Sequence, residues 1–94
     1  MADAAARTLT FALRGRLGRE ELPALSDAVG GRLAACCPAR VVLDLEGLRA
    51  DAVALEGLAL IALRARRAGC AISVRGCSPE LREMIELAGF GELF

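Results

Sequence analysis

The first readable element of the chain alternates with period two. Thr8-Leu9-Thr10-Phe11-Ala12-Leu13 sets small or polar residues between large apolar ones, the pattern of a half-buried strand. Gly15-Arg16-Leu17-Gly18 breaks the alternation. From Arg19 the spacing lengthens. Leu22, Leu25, Val29 and Leu33 recur every three or four residues, which predicts an amphipathic helix with Glu20 and Glu21 in its first turn. Gly30-Gly31 weakens that helix, and Pro38 prevents its continuation. Val41-Val42-Leu43-Asp44-Leu45 reads as a buried strand, and Gly47 to Ala50 as a loop. Asp51 predicts the N-cap of a second helix, which runs through Arg67 and stops at Gly69. Ala71-Ile72-Ser73-Val74 forms a third strand. Ser78-Pro79-Glu80 then supplies a cap, a first-turn proline and a favourable charge for a third helix, with Leu81, Met84, Ile85 and Ala88 on one face and Gly89 at its end. The tail Phe90 to Phe94 is expected to pack back through its rings.

The order β-α-β-α-β-α with short connections predicts an α/β fold. It implies a small, mostly parallel sheet of three or four strands, right-handed crossovers, and three or four helices. Residues 1–94 read as one domain, with residues 1–6 frayed. The middle helix is more apolar than its task demands. At about 100° per residue, Ala54, Leu58, Ile61 and Ala65 make one stripe, and Val53, Leu60 and Leu63 fall away from it. That surplus is either buried between neighbouring helices or exposed as a partner surface.

Composition narrows the function. Twelve arginines balance twelve Asp plus Glu, so the chain lacks the basic excess that nucleic-acid binding requires. A hydrophobic share of 55% over 94 residues excludes disorder and supports one modest core. No apolar run approaches the length of about 20 residues that spans a bilayer, and the first residues lack the regions of a signal peptide, so a cytoplasmic location without membrane insertion is expected. There is no His, Lys, Tyr, Trp, Asn or Gln. Nothing is left to activate the few hydroxyls at Thr8, Thr10, Ser26, Ser73 and Ser78, and no Gly-rich phosphate loop follows a strand, so the chain does not read as an enzyme. The cysteines at 36, 37, 70 and 77 contain no C-x-x-C pair. No metal or cofactor is expected, and reduced core thiols are the plain reading. Cys70 and Cys77 remain candidates for a redox response, Cys77 because a helix N-terminus lowers a thiol pKa.

From Val41 onward the motifs fall into a familiar series. Strand VVLDLEGL, an Asp-led helix start, a helix ending Arg66-Arg67-Ala68-Gly69, Cys77-Ser78-Pro79-Glu80-Leu81 and the terminal LAGFGELF resemble a STAS domain, the module of bacterial anti-sigma factor antagonists. The gap of eighteen residues from Asp51 to Gly69 sets the register, and Gly15-Arg16-Leu17 resembles the Gly-x-Leu closing the family's second strand. The resemblance implies that Asp51 matches the family's aspartate. Ala52 and Val53 then stand where the two hydroxyl residues would be, and Ala54 where a glycine would be. Val53 occupies the phosphoacceptor position and has no oxygen to phosphorylate, so the charge switch made by a partner serine kinase is lost. The family's first strand is missing, which exposes a sheet edge and allows a homodimer.

The resemblance implies a protein-binding module whose contact residues are Asp51, Ala52, Val53, Ala54, Leu55, Gly57, Leu60 and Leu63. Its partner is an anti-sigma factor of the serine-kinase type or, alternatively, the ATPase subunit of a transporter to which the domain is an accessory. Plainer readings stand beside these. Asp51 can be only a helix cap, Asp44 only a solvated strand end, and Arg64, Arg66 and Arg67 only a solvated helix terminus. Leu55 and Leu58 fit the core better than an interface.

Overall fold

Among the described residues, three short strands lie parallel in the order of the chain. The computed structural model describes residues 7–94, so the expected fraying of residues 1–6 lies outside the described residues. Strand β1 (Thr8–Ala12) pairs with β2 (Arg40–Asp44), which pairs with β3 (Ala71–Arg75). Their register aligns Thr8, Arg40 and Ala71, then Thr10, Val42 and Ser73, then Ala12, Asp44 and Arg75. Helices α1 (Leu22–Cys36) and α2 (Ala52–Arg67) form the crossovers, and α3 (Pro79–Leu87) follows β3.

Sequence neighbours are sheet neighbours, so both crossovers step in the same direction. Helices α1 and α2 therefore land on one face of the sheet, where they pack together, and α3 joins them against α2. The result is a two-layer α/β domain. Leu9, Leu13, Val41, Leu43 and Leu45 point into the helices and are buried with Val29, Leu33, Ala54, Leu58, Ile61, Ala65, Leu81 and Ile85. The opposite face carries the alternate positions. Thr8, Thr10, Ala12, Arg40, Ala71 and Arg75 are exposed there, and Val42, Asp44 and Ser73 are half-buried. That face is polar enough to meet water, which reconciles an all-parallel sheet with only one covered side.

Element ends agree with local chemistry. Ser78 Oγ accepts from the Leu81 N–H at 3.2 Å, and Pro79 opens α3. Gly69 and Gly89 adopt φ of +79° and +80° just past α2 and α3, where a side chain would be strained. The start of α1 differs from the sequence reading, while its end falls just before Pro38 as expected. Arg19–Glu21 forms a single 3-10 turn, and α1 starts only at Leu22. Glu21 bends back so that its Oε1 accepts from the Gly18 N–H at 2.6 Å, which satisfies a donor ahead of the helix and delays it. Helix α1 also ends without glycine: Cys37 itself takes the left-handed conformation at φ 46° and donates its N–H to the Leu33 carbonyl. The aromatic tail packs as expected, with Phe90 and Phe94 against the core. No helix among the described residues is long and apolar enough to cross a membrane.

Candidate functional site

The loop after β2 and the first turn of α2 are held by a set of directed contacts at the C-terminal ends of the strands. Asp44, the last residue of β2, accepts the Glu46 backbone N–H on Oδ1 at 3.2 Å. Its Oδ2 lies 3.3 Å from Arg14 and 3.5 Å from Arg75. The hydrogen bond from Glu46, with the two guanidinium charges, outweighs partial burial and holds the Asp44 carboxyl below its ordinary value of 3.8. Asp44 is therefore the junction that ties β1, the loop and β3 together. Arg14 also donates to the Glu46 carbonyl at 2.6 Å. Gly15 exchanges backbone bonds with the same loop, donating to Gly47 at 2.8 Å and accepting from Arg49 at 2.7 Å.

Asp51 then starts α2. Its backbone is extended at φ −148°, and Oδ1 accepts from the Ala54 N–H at 2.8 Å. Oδ2 is 3.9 Å from Arg49 Nε. Both carboxylate oxygens thus have partners within the chain, and the capping role is the one the geometry displays.

The helix places the candidate residues on three sides. Ala54 is fully buried. Gly57 is buried under α1 and the turn before it, where an added Cβ would stand 3.2 Å from both Leu17 Cδ1 and Leu22 Cδ2. Neither residue offers surface. Glycine at 57 is a close-packing device, as small size at a helix contact suggests. Leu55 is half-buried and packs on the core, and Leu58 is fully buried, both as the core reading expects. Val53, Glu56, Leu60 and Leu63 recur at intervals of three, four and three and share the outward side of α2. Val53 and Leu60 are half-buried, Leu63 is 44% exposed, and Ala52 is exposed beside them. The surplus apolar residues Val53, Leu60 and Leu63 therefore stay outside the core, two of them half-buried and one exposed.

Two depressions run along that outward side. A cavity of about 510 Å³ opens between Asp51 and Val53 on one wall and Arg16 to Glu21 on the other. A second, of about 420 Å³, is lined by Leu22, Pro23, Ser26 and Asp27 from α1 and by Glu56 and Leu60 from α2. Arg19 lines both and bridges to Glu56 at 3.1 Å. Sequence reasoning missed Arg19, Pro23 and Glu56 because no periodicity in one segment reveals a groove between two. The Gly15-Arg16-Leu17 match was the signal that the turn before α1 approaches this site.

The remaining candidates are structural or shielded. Arg64 donates to Ser26 Oγ at 3.1 Å and reaches Asp27 at 3.4 Å, and Arg66 donates to the Glu92 carbonyl at 3.4 Å, so this cluster braces neighbouring elements and is not merely solvated. Cys70 is buried, with its Sγ 3.2 Å from the Pro38 carbonyl. Cys77 reverses an expectation: partial burial pushes its thiol upward despite the opposing effect of Arg82, where a helix N-terminus had suggested a lowered value. Among the described residues, no three Cys, Asp or Glu side chains group as metal ligands.

The geometry is that of a two-layer α/β module with an Asp-capped central helix and an apolar strip along it. The family model described as Mlab, STAS domain matches residues 1–94, so the chain belongs to the STAS domain family. STAS domains interact with other proteins and are generally non-catalytic. A comparison with curated proteins finds no match.

Proposed function

We propose that this domain is a constitutive, non-catalytic docking module of the cytoplasm, resembling an anti-sigma factor antagonist without its phosphorylation switch. It binds a protein partner through the Asp51 loop and the outward side of α2, with Val53, Leu60 and Leu63 as the apolar contacts. The supporting observation is the position of these three side chains on one outward stripe bordered by a groove, while Ala54, Leu58, Ile61 and Ala65 complete the core without them. Fully burying an exposed leucine or valine contributes roughly 1.5–3 kcal/mol, and Val53 and Leu60, already half-buried, contribute less than that on docking. A hydroxyl at position 53 would permit addition of nearly two negative charges beside the Asp51 carboxylate, and valine permits none.

A second reading, an accessory subunit on a transporter ATPase, draws on the same valine: a partner that never phosphorylates has no need of the hydroxyl. Co-expression with a serine-kinase anti-sigma factor and, separately, with a transporter ATPase subunit discriminates the two by which one co-purifies. In either case Leu60→Asp and Val53→Asp abolish the complex. Retention of binding by both variants would show that the interface lies elsewhere. Phosphate incorporated at Ser26, Ser73 or Ser78 in the presence of kinase and ATP would show a relocated switch.

A further inference from the structure

At the end of the sheet opposite the Asp51 loop, the residues preceding the three strands meet the C-terminal ends of α1 and α2. A cavity of about 700 Å³ opens there, within the range of about 300–1,000 Å³ typical of small-molecule sites. Arg7, Arg64 and Arg67 line it, and no Asp or Glu among the described residues does. Leu33, Ala34, Pro38 and Cys70 supply an apolar wall, and Leu33 and Cys70 belong to the buried core. The three guanidiniums are engaged to different extents. Arg64 donates Nε to Ser26 and Nη2 to Asp27, and its Nη1 lies above Gly30. A Cβ on Gly30 would stand 2.5 Å from that nitrogen, so the glycine in α1 makes room for the guanidinium. Arg7 donates Nη2 to the Cys37 carbonyl at 2.9 Å. Neither Arg7 nor Arg67 forms an ion pair with a described residue.

Charge and hydrogen bonding define what fits. Each of the two helix C-termini carries about −0.5, and Asp27 beside Arg64 adds a full negative charge. Against three guanidiniums these leave a surplus of about +1, so the cavity favours an anion. The backbone N–H groups of Cys37, Ala39, Ala68, Gly69 and Cys70 around it all bond within the chain. Recognition therefore falls to the guanidinium N–H groups, whose fork matches carboxylate and phosphate oxygens. A bare inorganic ion would leave the apolar wall uncovered. We propose that this cavity binds a small organic oxyanion, with its carboxylate or phosphate among Arg7, Arg64 and Arg67 and its apolar body against Leu33, Pro38 and Cys70. The site shares no lining residue with the two depressions beside the outward side of α2, and it stands whether or not that side is the main interface.

The test is an NMR titration of the isotope-labelled full chain, in phosphate-free buffer of low salt, with benzoate, phenyl phosphate, inorganic phosphate and benzyl alcohol. Benzoate or phenyl phosphate is expected to shift the Leu33, Ala34, Gly69 and Cys70 amides saturably, with half-saturation at about 1 mM. The tighter of the two identifies the head group. Inorganic phosphate binds about tenfold more weakly because it lacks the apolar body. Benzyl alcohol, which has that body without the charge, gives no saturable shift. Arg67→Gln, a change at an exposed position, weakens the tighter anion about fivefold. Arg66→Gln, next to it and equally exposed but outside the cavity, leaves binding unchanged. Absence of saturable shifts at these amides with both aromatic anions, binding of benzyl alcohol or inorganic phosphate as tight as theirs, or equal weakening by Arg66→Gln and Arg67→Gln would each overturn the proposal.

Discussion

Two aspartates on either side of one loop do different work. Asp51 caps the free N–H of Ala54, and an N-cap of this kind contributes about 1 kcal/mol. Asp51→Ala is expected to lower unfolding free energy by about that amount, measured by urea denaturation. A loss of partner affinity larger than the stability loss would assign Asp51 a contact role as well. Asp44 acts through linkage. Its carboxyl titrates lower in the folded chain than the ordinary 3.8, so its stabilising contribution is complete above that value and disappears as pH falls through the lower, folded value. Asp44→Asn should make stability flatter with pH in the acid range, as measured by thermal denaturation between about pH 2 and 6. An unchanged acid profile would show that Arg14, Arg75 and the Glu46 N–H do not act through this carboxylate. At position 53 the sequence establishes only that the valine side chain carries no hydroxyl.

Helix α2 carries both the core and the proposed surface. Its inward stripe was legible at the level of single residues: Ala54, Leu58, Ile61 and Ala65 are all fully buried. Removing most of the Leu58 side chain leaves a cavity with little room to collapse, and Leu58→Ala is expected to cost about 2–5 kcal/mol by denaturant unfolding. Gly57 tells the opposite story. A glycine in mid-helix reads as a weakness, and here it allows the turn carrying Leu17 and the start of α1 to approach. Gly57→Val should destabilise the domain by about 1–3 kcal/mol through overpacking, and a neutral result would show that Leu17 and Leu22 move aside freely. The 3-10 turn ahead of α1 could not be read from periodicity, because its cause is the single bond from Gly18 to Glu21. Leu55, Leu60 and Leu63 are all leucines of one helix, yet Leu55 packs on the core, Leu60 lines the α1 groove and Leu63 is exposed. Which flank each one meets depends on neighbours that α2 does not contain.

At the scale of the described residues, three parallel strands in chain order force all helices onto one face, and this leaves the opposite, polar face to meet water. Leu63→Asp lies outside the core, so it should leave the unfolding midpoint within about 0.5 kcal/mol of the parent while weakening partner binding; a large stability loss would place Leu63 in the fold and not in the interface. Light scattering over a range of concentrations tests the homodimer that the sequence reading allows. A mass that stays at one chain removes that reading. The alternation of periods two and three-to-four, the caps at Asp51 and Ser78 and the stops at Gly69 and Gly89 determined the element order, the parallel sheet and the inward face of each helix. They could do so because each depends on chemistry within a few residues along the chain. The groove between α1 and α2, the burial of Gly57 and the raised thiol of Cys77 were decided only by tertiary structure. Each depends on groups separated along the chain, brought together by packing that no local pattern records.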